Sequence, residues 1–265
     1  MIVLGFDTAT AATAVALRLA DGSTLRARDD PGSGQRPGHT TRLLALAREL
    51  LAQAGLSWSE LGRIAVGVGP GTFTGLRIGV ATARGLAQAL AVDVVGVSTP
   101  RVLAEAAIAD PAARVRTHAP ARGEGVLAVI DARRGEAFVA AFAAHERRVP
   151  PGALDSGSRA VDGDGLSAHE LSAVQALAPD ELAGVATAAD PSRRWQAVGD
   201  GAVRFRAELE AGGIAVAADD SPLHRVDAGV LCELALAAAH GAPEAVLPDY
   251  RRRPDAEIAL ENAQR

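Results

Sequence analysis

Lysine is missing altogether: all 27 basic side chains among the 265 residues are arginine. A P-loop lysine, a Schiff-base lysine and a lysine general base are therefore excluded. Cysteine is nearly missing too. With Cys232 alone there is neither an internal disulfide nor a cysteine-built zinc site. No apolar run approaches the roughly 20 residues that a membrane span requires, and no basic-plus-apolar leader is seen, so a soluble cytoplasmic protein is expected. Nor is positive charge in excess. The formal net charge is −5 and the pI near 5.7, which argues against a stand-alone binder that neutralises many phosphates. What remains is ordinary globular composition, 48% hydrophobic and 22% charged, long enough for one large domain or two modest ones.

Strand and helix signals alternate along the N-terminal part. Ile2–Phe6 is a short apolar run suited to a strand buried on both faces. Thr13–Leu19 follows, and Asp21-Gly22 predicts a hairpin that brings Thr24–Arg28 back antiparallel. The stretch Asp29–Gly38 reads as loop. From Thr40 to Ala54, apolar residues recur at helical spacing up to Gly55. Ser57 and Glu60 have capping-box spacing. Arg63–Val68 is a strand, Thr74–Leu90 a helix and Val92–Val97 another apolar strand. Thr99-Pro100 supplies an N-cap and a first-turn proline for the next helix.

Asp110–Gly125 has no periodicity and reads as a linker or variable loop. A second αβ region follows, with strands Val126–Ile130 and Ala137–Phe142 around the turn Asp131–Glu136. Pro150-Pro151 and the stretch to Gly165 are loop. Ser167 and Glu170 predict the cap of a helix reaching Ala178, and Gln196–Val198 runs into the turn Gly199-Asp200-Gly201. Helices are expected over Ala202–Ala211 and, strongly apolar, over Asp227–His240. No solenoid-type repeat is present.

Three features could carry chemistry. Asp7 lies at the carboxyl end of the first strand, where α/β sheets place ligand-binding groups; it could hold a metal-bound water or simply accept N–H bonds in the next turn. The segment Gly67–Gly79, reading GVGPGTFTGLRIG, is a strand, a Gly69-Pro70-Gly71 turn and a helix start capped at Thr72 or Thr74. Its helix N-terminus could face an anion, making Asp7, Gly69 and Gly71 weak candidates for cofactor binding, although the glycine spacing fits neither a Walker loop nor the dinucleotide fingerprint. The plain alternative is a structural turn. The following helix then carries two rows of small residues, Gly75, Gly79, Ala83 and Ala87, and Ala81, Gly85 and Ala89. Each interior glycine costs about 1 kcal/mol against alanine, so close approach of something is implied, within the chain or from a partner. The six histidines, His39, His118, His145, His169, His224 and His240, share no ligand spacing. Arg251-Arg252-Arg253 is the densest basic spot, a solvated tail or a contact for RNA or an acidic partner.

The segment GPGTFTGLRIG, taken in order with IVLGFDTAT (Ile2–Thr10), DARRGEAF (Asp131–Phe138), VGDGA (Val198–Ala202) and PDYRRRPDAE (Pro248–Glu257), resembles the TsaB family, over nearly the whole chain. The resemblance implies an α/β fold of the actin-like ATPase superfamily (sugar kinase, Hsp70 and actin, ribonuclease H-like) with two βαβ lobes. The expected division is residues 1–105, carrying partner-docking helices, and residues 106–265, with the helix 227–240 a candidate to pack back on the first lobe. It implies further a non-catalytic subunit required for N6-threonylcarbamoylation of the tRNA adenosine beside the anticodon. Such a subunit docks a catalytic TsaD-like paralogue, works with a small TsaE-like ATPase, meets tRNA indirectly through the complex and could form a homodimer when isolated. No cofactor, metal or catalytic residue is implied for the chain itself. Where TsaD relatives carry a His-x-x-x-His metal pair, the matching positions here are Thr99 and Leu103. The interface is expected on the helices Thr40–Ala54 and Thr74–Leu90, through Leu43, Leu46 and Leu50, with Leu44 and Leu51 displaced, and through Gly75, Leu76, Gly79, Val80, Ala83 and Ala87. A second reading is an active ATP-using enzyme of the superfamily, favoured by Asp7 and the Gly69-Pro70-Gly71 turn and opposed by the missing histidines and lysines. A metallopeptidase is a third, disfavoured by histidine spacing.

Overall fold

Every residue of Val3–Asp7 is buried, as a strand paired on both edges and covered on both faces must be. This is β1. It pairs antiparallel with β2 (Thr13–Arg18), which pairs antiparallel with β3 (Thr24–Asp29). On its other edge β1 runs parallel to β4 (Arg63–Gly69), and β4 to β5 (Asp93–Ser98), giving the order β3-β2-β1-β4-β5. Helices α1 (His39–Ala54) and α2 (Phe73–Leu90) cover one face. The computed structural model describes residues 1–32, 34–109, 124–146 and 166–251.

After α3 (Thr99–Ala109) the pattern recurs. The second sheet contains β6 (Glu124–Arg133), β7 (Glu136–Glu146), β8 (Leu166–Glu170), β10 (Arg194–Val198) and β11 (Ala215–Val216), ordered β11-β10-β6-β7-β8. A short β9 (Gln175–Leu177) also pairs with β7. Two antiparallel pairings followed by two parallel ones are thus found in both sheets, the two-lobed actin-like α/β fold. Helices α4 (Leu182–Ala189), α5 (Asp200–Arg204) and α6 (Arg206–Ala211) bring residues such as Leu182, Ala202 and Leu209 to the outer face of the second sheet. Between the sheets lie α3 and α7 (Ala228–Leu236). There α7 packs on β1 so closely that a Cβ on Gly5 would fall 2.5 Å from Cys232 Sγ.

Several expectations need correction. Ser167–Ala178 is not a helix: β8 pairs with β7, and Glu105 of α3 accepts the buried Ala168 N–H at 2.7 Å. A Ser-x-x-Glu pair is a local signal, and a ladder of backbone bonds with a covered face outweighs it. The helix expected over Ala202–Ala211 is two short helices, broken where Phe205 leaves helical geometry (φ −110°). The apolar helix ends at Leu236, well before His240. Thr99 is the first residue of α3 and not its cap. Most of Asp110–Gly125, the loop Pro150–Gly165, and Arg252 and Arg253 lie outside the described residues.

Candidate functional site

The Asp7 side chain turns into the protein. It is 1% exposed; its Oδ1 accepts the Ala9 N–H at 2.7 Å, and its Oδ2 accepts the Thr99 hydroxyl at 2.8 Å. Burial pushes its carboxyl above the ordinary range, opposed by those two bonds and by the Arg28 charge. Gly67 of β4 sits against the same carboxylate, where any Cβ would collide with Oδ2.

The GPGTFTG turn closes over this group. Thr72 donates its N–H to Ala9 O at 2.7 Å, and Thr8 donates its hydroxyl to Gly75 O at 2.7 Å. A Cβ on Gly71 would strike Ala9 O, one on Gly75 would strike Thr8 O, and one on Gly79 would strike the Thr8 hydroxyl. Gly69 has φ +94° and precedes a cis Pro70. The glycines therefore let α2 lie directly on the β1–β2 turn. The Thr72 N–H and the Asp7 carboxylate, the groups that would meet a phosphate or a metal-bound water, are bonded within the chain. Asp7, Gly69 and Gly71 do come together, in a joint where the Asp7 carboxylate and the Thr72 N–H are bonded within the chain.

The segment after β5 is likewise tied into the fold. The Thr99 hydroxyl is spent on Asp7, and Leu103 is a core side chain lying against Gly199. The buried histidines serve the fold. His39 Nδ1 lies 2.9 Å from the Thr13 hydroxyl, and His224 bridges Gly199 O and Ala217 O.

The nine side chains expected at an interface are also placed inward. Leu43, Leu46, Leu50, Gly75, Leu76, Gly79, Val80, Ala83 and Ala87 are all buried by the chain itself. The reason is geometric: the first small row is the one that meets the β1–β2 turn and the sheet. A partner approaching α1 and α2 from outside meets other residues, Leu44 at 48% exposure on α1 and the second row, Ala81, Gly85 and Ala89, on α2. Nothing lies within 4 Å of where a Gly85 Cβ would be.

In the second lobe, two of the quoted motifs meet. The Asp131 N–H donates to Asp200 Oδ1 at 3.1 Å, and Asp131 itself holds Arg204 at 2.8 Å and Arg133 at 3.3 Å. Burial, and then the neighbouring Asp131 charge, push Asp200 up to about 6. Sequence reading gave Asp200 no role; the turn Gly199-Asp200-Gly201 was visible, its partner 69 residues away was not. Among the described residues no group of three or more His, Cys, Asp or Glu side chains could hold a metal, and no helix is long and apolar enough to cross a membrane.

A family model described as "TsaD: tRNA N6-adenosine threonylcarbamoyltransferase" matches residues 35–191. The chain is similar to the tRNA threonylcarbamoyladenosine biosynthesis protein TsaB of Escherichia coli (strain K12), 37% identical over 149 residues, and to that of Haemophilus influenzae, 36% over 138. These alignments cover 56% and 52% of this chain and 58% and 52% of the relatives, so the chain spans little more than half the length of the curated relatives it matches. Among solved structures it is similar to YeaZ from Pseudomonas aeruginosa, 27% identical with a TM-score of 0.65, covering 94% of this chain and 100% of that one. A second, an uncharacterized Pseudomonas aeruginosa protein with similarity to peptidase YEAZ, gives 27% identity and a TM-score of 0.68 over 95% and 99%.

Proposed function

The chain belongs to the TsaD family, and we propose that it serves tRNA threonylcarbamoyladenosine biosynthesis as a non-catalytic subunit that docks and activates a TsaD-like transferase. The observation that carries this reading is the closure around Asp7. A strand-end carboxylate in an α/β sheet is placed where a ligand could be met, whereas here the Asp7 carboxylate accepts from the Ala9 N–H and the Thr99 hydroxyl, and the Thr72 N–H of the glycine turn donates to Ala9 O. Thr99 and Leu103, standing where the transferase relatives carry imidazoles, support it further, since neither is a metal ligand of that kind. What the chain offers instead is a surface. The outer faces of α1 and α2, with Leu44, Ala81, Gly85 and Ala89, suit a helix-on-helix contact in which small residues let backbones approach. A TsaE-like ATPase would join the assembly, and tRNA would be met through the complex.

The test is a nucleotide titration of the isolated chain, repeated with a TsaD-like transferase added and with the mixture sized in solution. The expected result is a stable complex, with no metal-dependent ATP turnover by the chain alone. Turnover by the purified chain that disappears in Asp7→Ala would overturn the reading in favour of an active enzyme of the superfamily.

A further inference from the structure

Beyond α7 the chain crosses back over the first lobe. The Val94 N–H donates to Gly241 O at 3.3 Å, Val246 is buried beside Gly96, and the Asp249 N–H donates to Val68 O at 2.8 Å. His240 bonds Asp93, which also pairs with Arg63 at 3.2 Å. This strap delivers Tyr250 to the start of α2. Its ring packs on Phe73 at 5.1 Å between centroids, and its hydroxyl accepts from Arg77 Nε at 3.2 Å. The Arg77 guanidinium in turn lies 3.8 Å over the Phe73 ring.

Phe73, Arg77, Ala81, Gly85 and Ala89 recur every four residues, so the aromatic cluster heads the same outward stripe that carries the small residues. The chain has only eight aromatic side chains, and here its one tyrosine stands 43% exposed, with Leu247 nearby on the strap at 62%. Tyrosine and arginine at the edge of a small-residue face are the composition of an interface anchor.

Charge selects the occupant. The sequence of α2 contains Arg77 and Arg84 and no carboxylate, although the whole chain is at −5. Two copies placed face to face would set these arginines against each other. An exposed glycine with open space around it argues against RNA, which gains nothing from close approach to a helix backbone.

We infer that Tyr250 and Arg77, brought together by the C-terminal strap, are the anchor through which the α2 face grips a partner subunit that opposes it with carboxylates. Resting on the reading above, that partner is the TsaD-like transferase. The experiment titrates the full chain, as wild type, Tyr250→Ala and Arg77→Glu, with the transferase by calorimetry at low and high salt. Thermal unfolding of each variant is recorded alongside. Wild-type binding should weaken as salt rises, and each variant should lose about tenfold or more in affinity while unfolding as the wild type does. Arg77→Glu changes an exposed side chain, so it remains decisive should Tyr250→Ala loosen the strap. If the wild type binds and both variants bind equally well, the anchor is elsewhere and the partner reading stands. If the wild type itself does not bind, the partner reading fails. Sizing of each chain alone and a titration with tRNA complete the set: variants that bind the transferase as the wild type does but lose self-association, or tRNA binding, would give the face to a second copy or to RNA and overturn the inference.

Discussion

Asp7 and Asp200 show what one residue reveals before and after its neighbours are known. The place of Asp7 was legible, because a polar residue ending a buried apolar run marks the carboxyl end of a strand. Its role was not, because Thr99, which binds it, is 92 residues away in sequence. Asp200 was invisible for the same reason. Its titration gives a test. The native state holds the Asp200 proton more tightly than the unfolded chain, about 6 against 3.8. The unfolded chain therefore releases protons first as pH rises, and stability falls through that window and levels off above it. Asp7, also raised, acts in the same direction. Asp200→Asn keeps an oxygen for the Asp131 N–H and removes the titration. Its melting temperature should exceed that of the wild type at pH 7 and converge with it near pH 4. An equal difference at both pH values would refute the assignment.

At the scale of elements, strands and long helices were readable and their facing was not. Val3–Asp7 and Arg63–Gly69 are apolar runs between turn signals, and α1 ends at Gly55 in the left-handed conformation as a helix C-cap should. The two rows of α2 were equally readable and equally ambiguous, since alanine and glycine carry little hydrophobic contrast. Only the sheet decides which row is inside. Opposite outcomes follow for paired substitutions. Gly75→Ala puts a methyl into Thr8 O and should destabilise by about 1–3 kcal/mol. Gly85→Ala meets nothing and should stabilise by roughly 0.5–1 kcal/mol through helix propensity. Likewise Ala83→Leu, fully buried, should cost about 1–3 kcal/mol, whereas Ala81→Leu should leave thermal unfolding unchanged and reduce co-elution with the transferase. The false helix at Ser167 teaches the converse lesson: a capping pattern in an edge segment yields to the strand beside it.

For the whole molecule, the strand order repeats on the two sides of α3, but the core does not divide there. Val3, Ala65 and Val95 of the first sheet, Val126, Ile130 and Phe142 of the second, and Val102, Ile108, Leu231 and Ala235 of α3 and α7 form one continuous apolar cluster. Sequence could not show this, because each of these residues has the same alternation it would have in a self-contained lobe. A shared cluster couples the two sheets, since neither can open without exposing the other's inner face. Cys232 reports on this coupling. It is fully buried between α7 and β1, its thiol is pushed up to about 12 by burial, and it is the single cysteine. A thiol reagent should therefore be inert toward the native protein. Across a urea series, Cys232 should become reactive in the same transition that removes the helical circular dichroism, as a single cooperative unit requires. Labelling that begins at lower urea, with the dichroism still native, would mean that α7 lifts off β1 independently and that the two sheets do not share one folding unit.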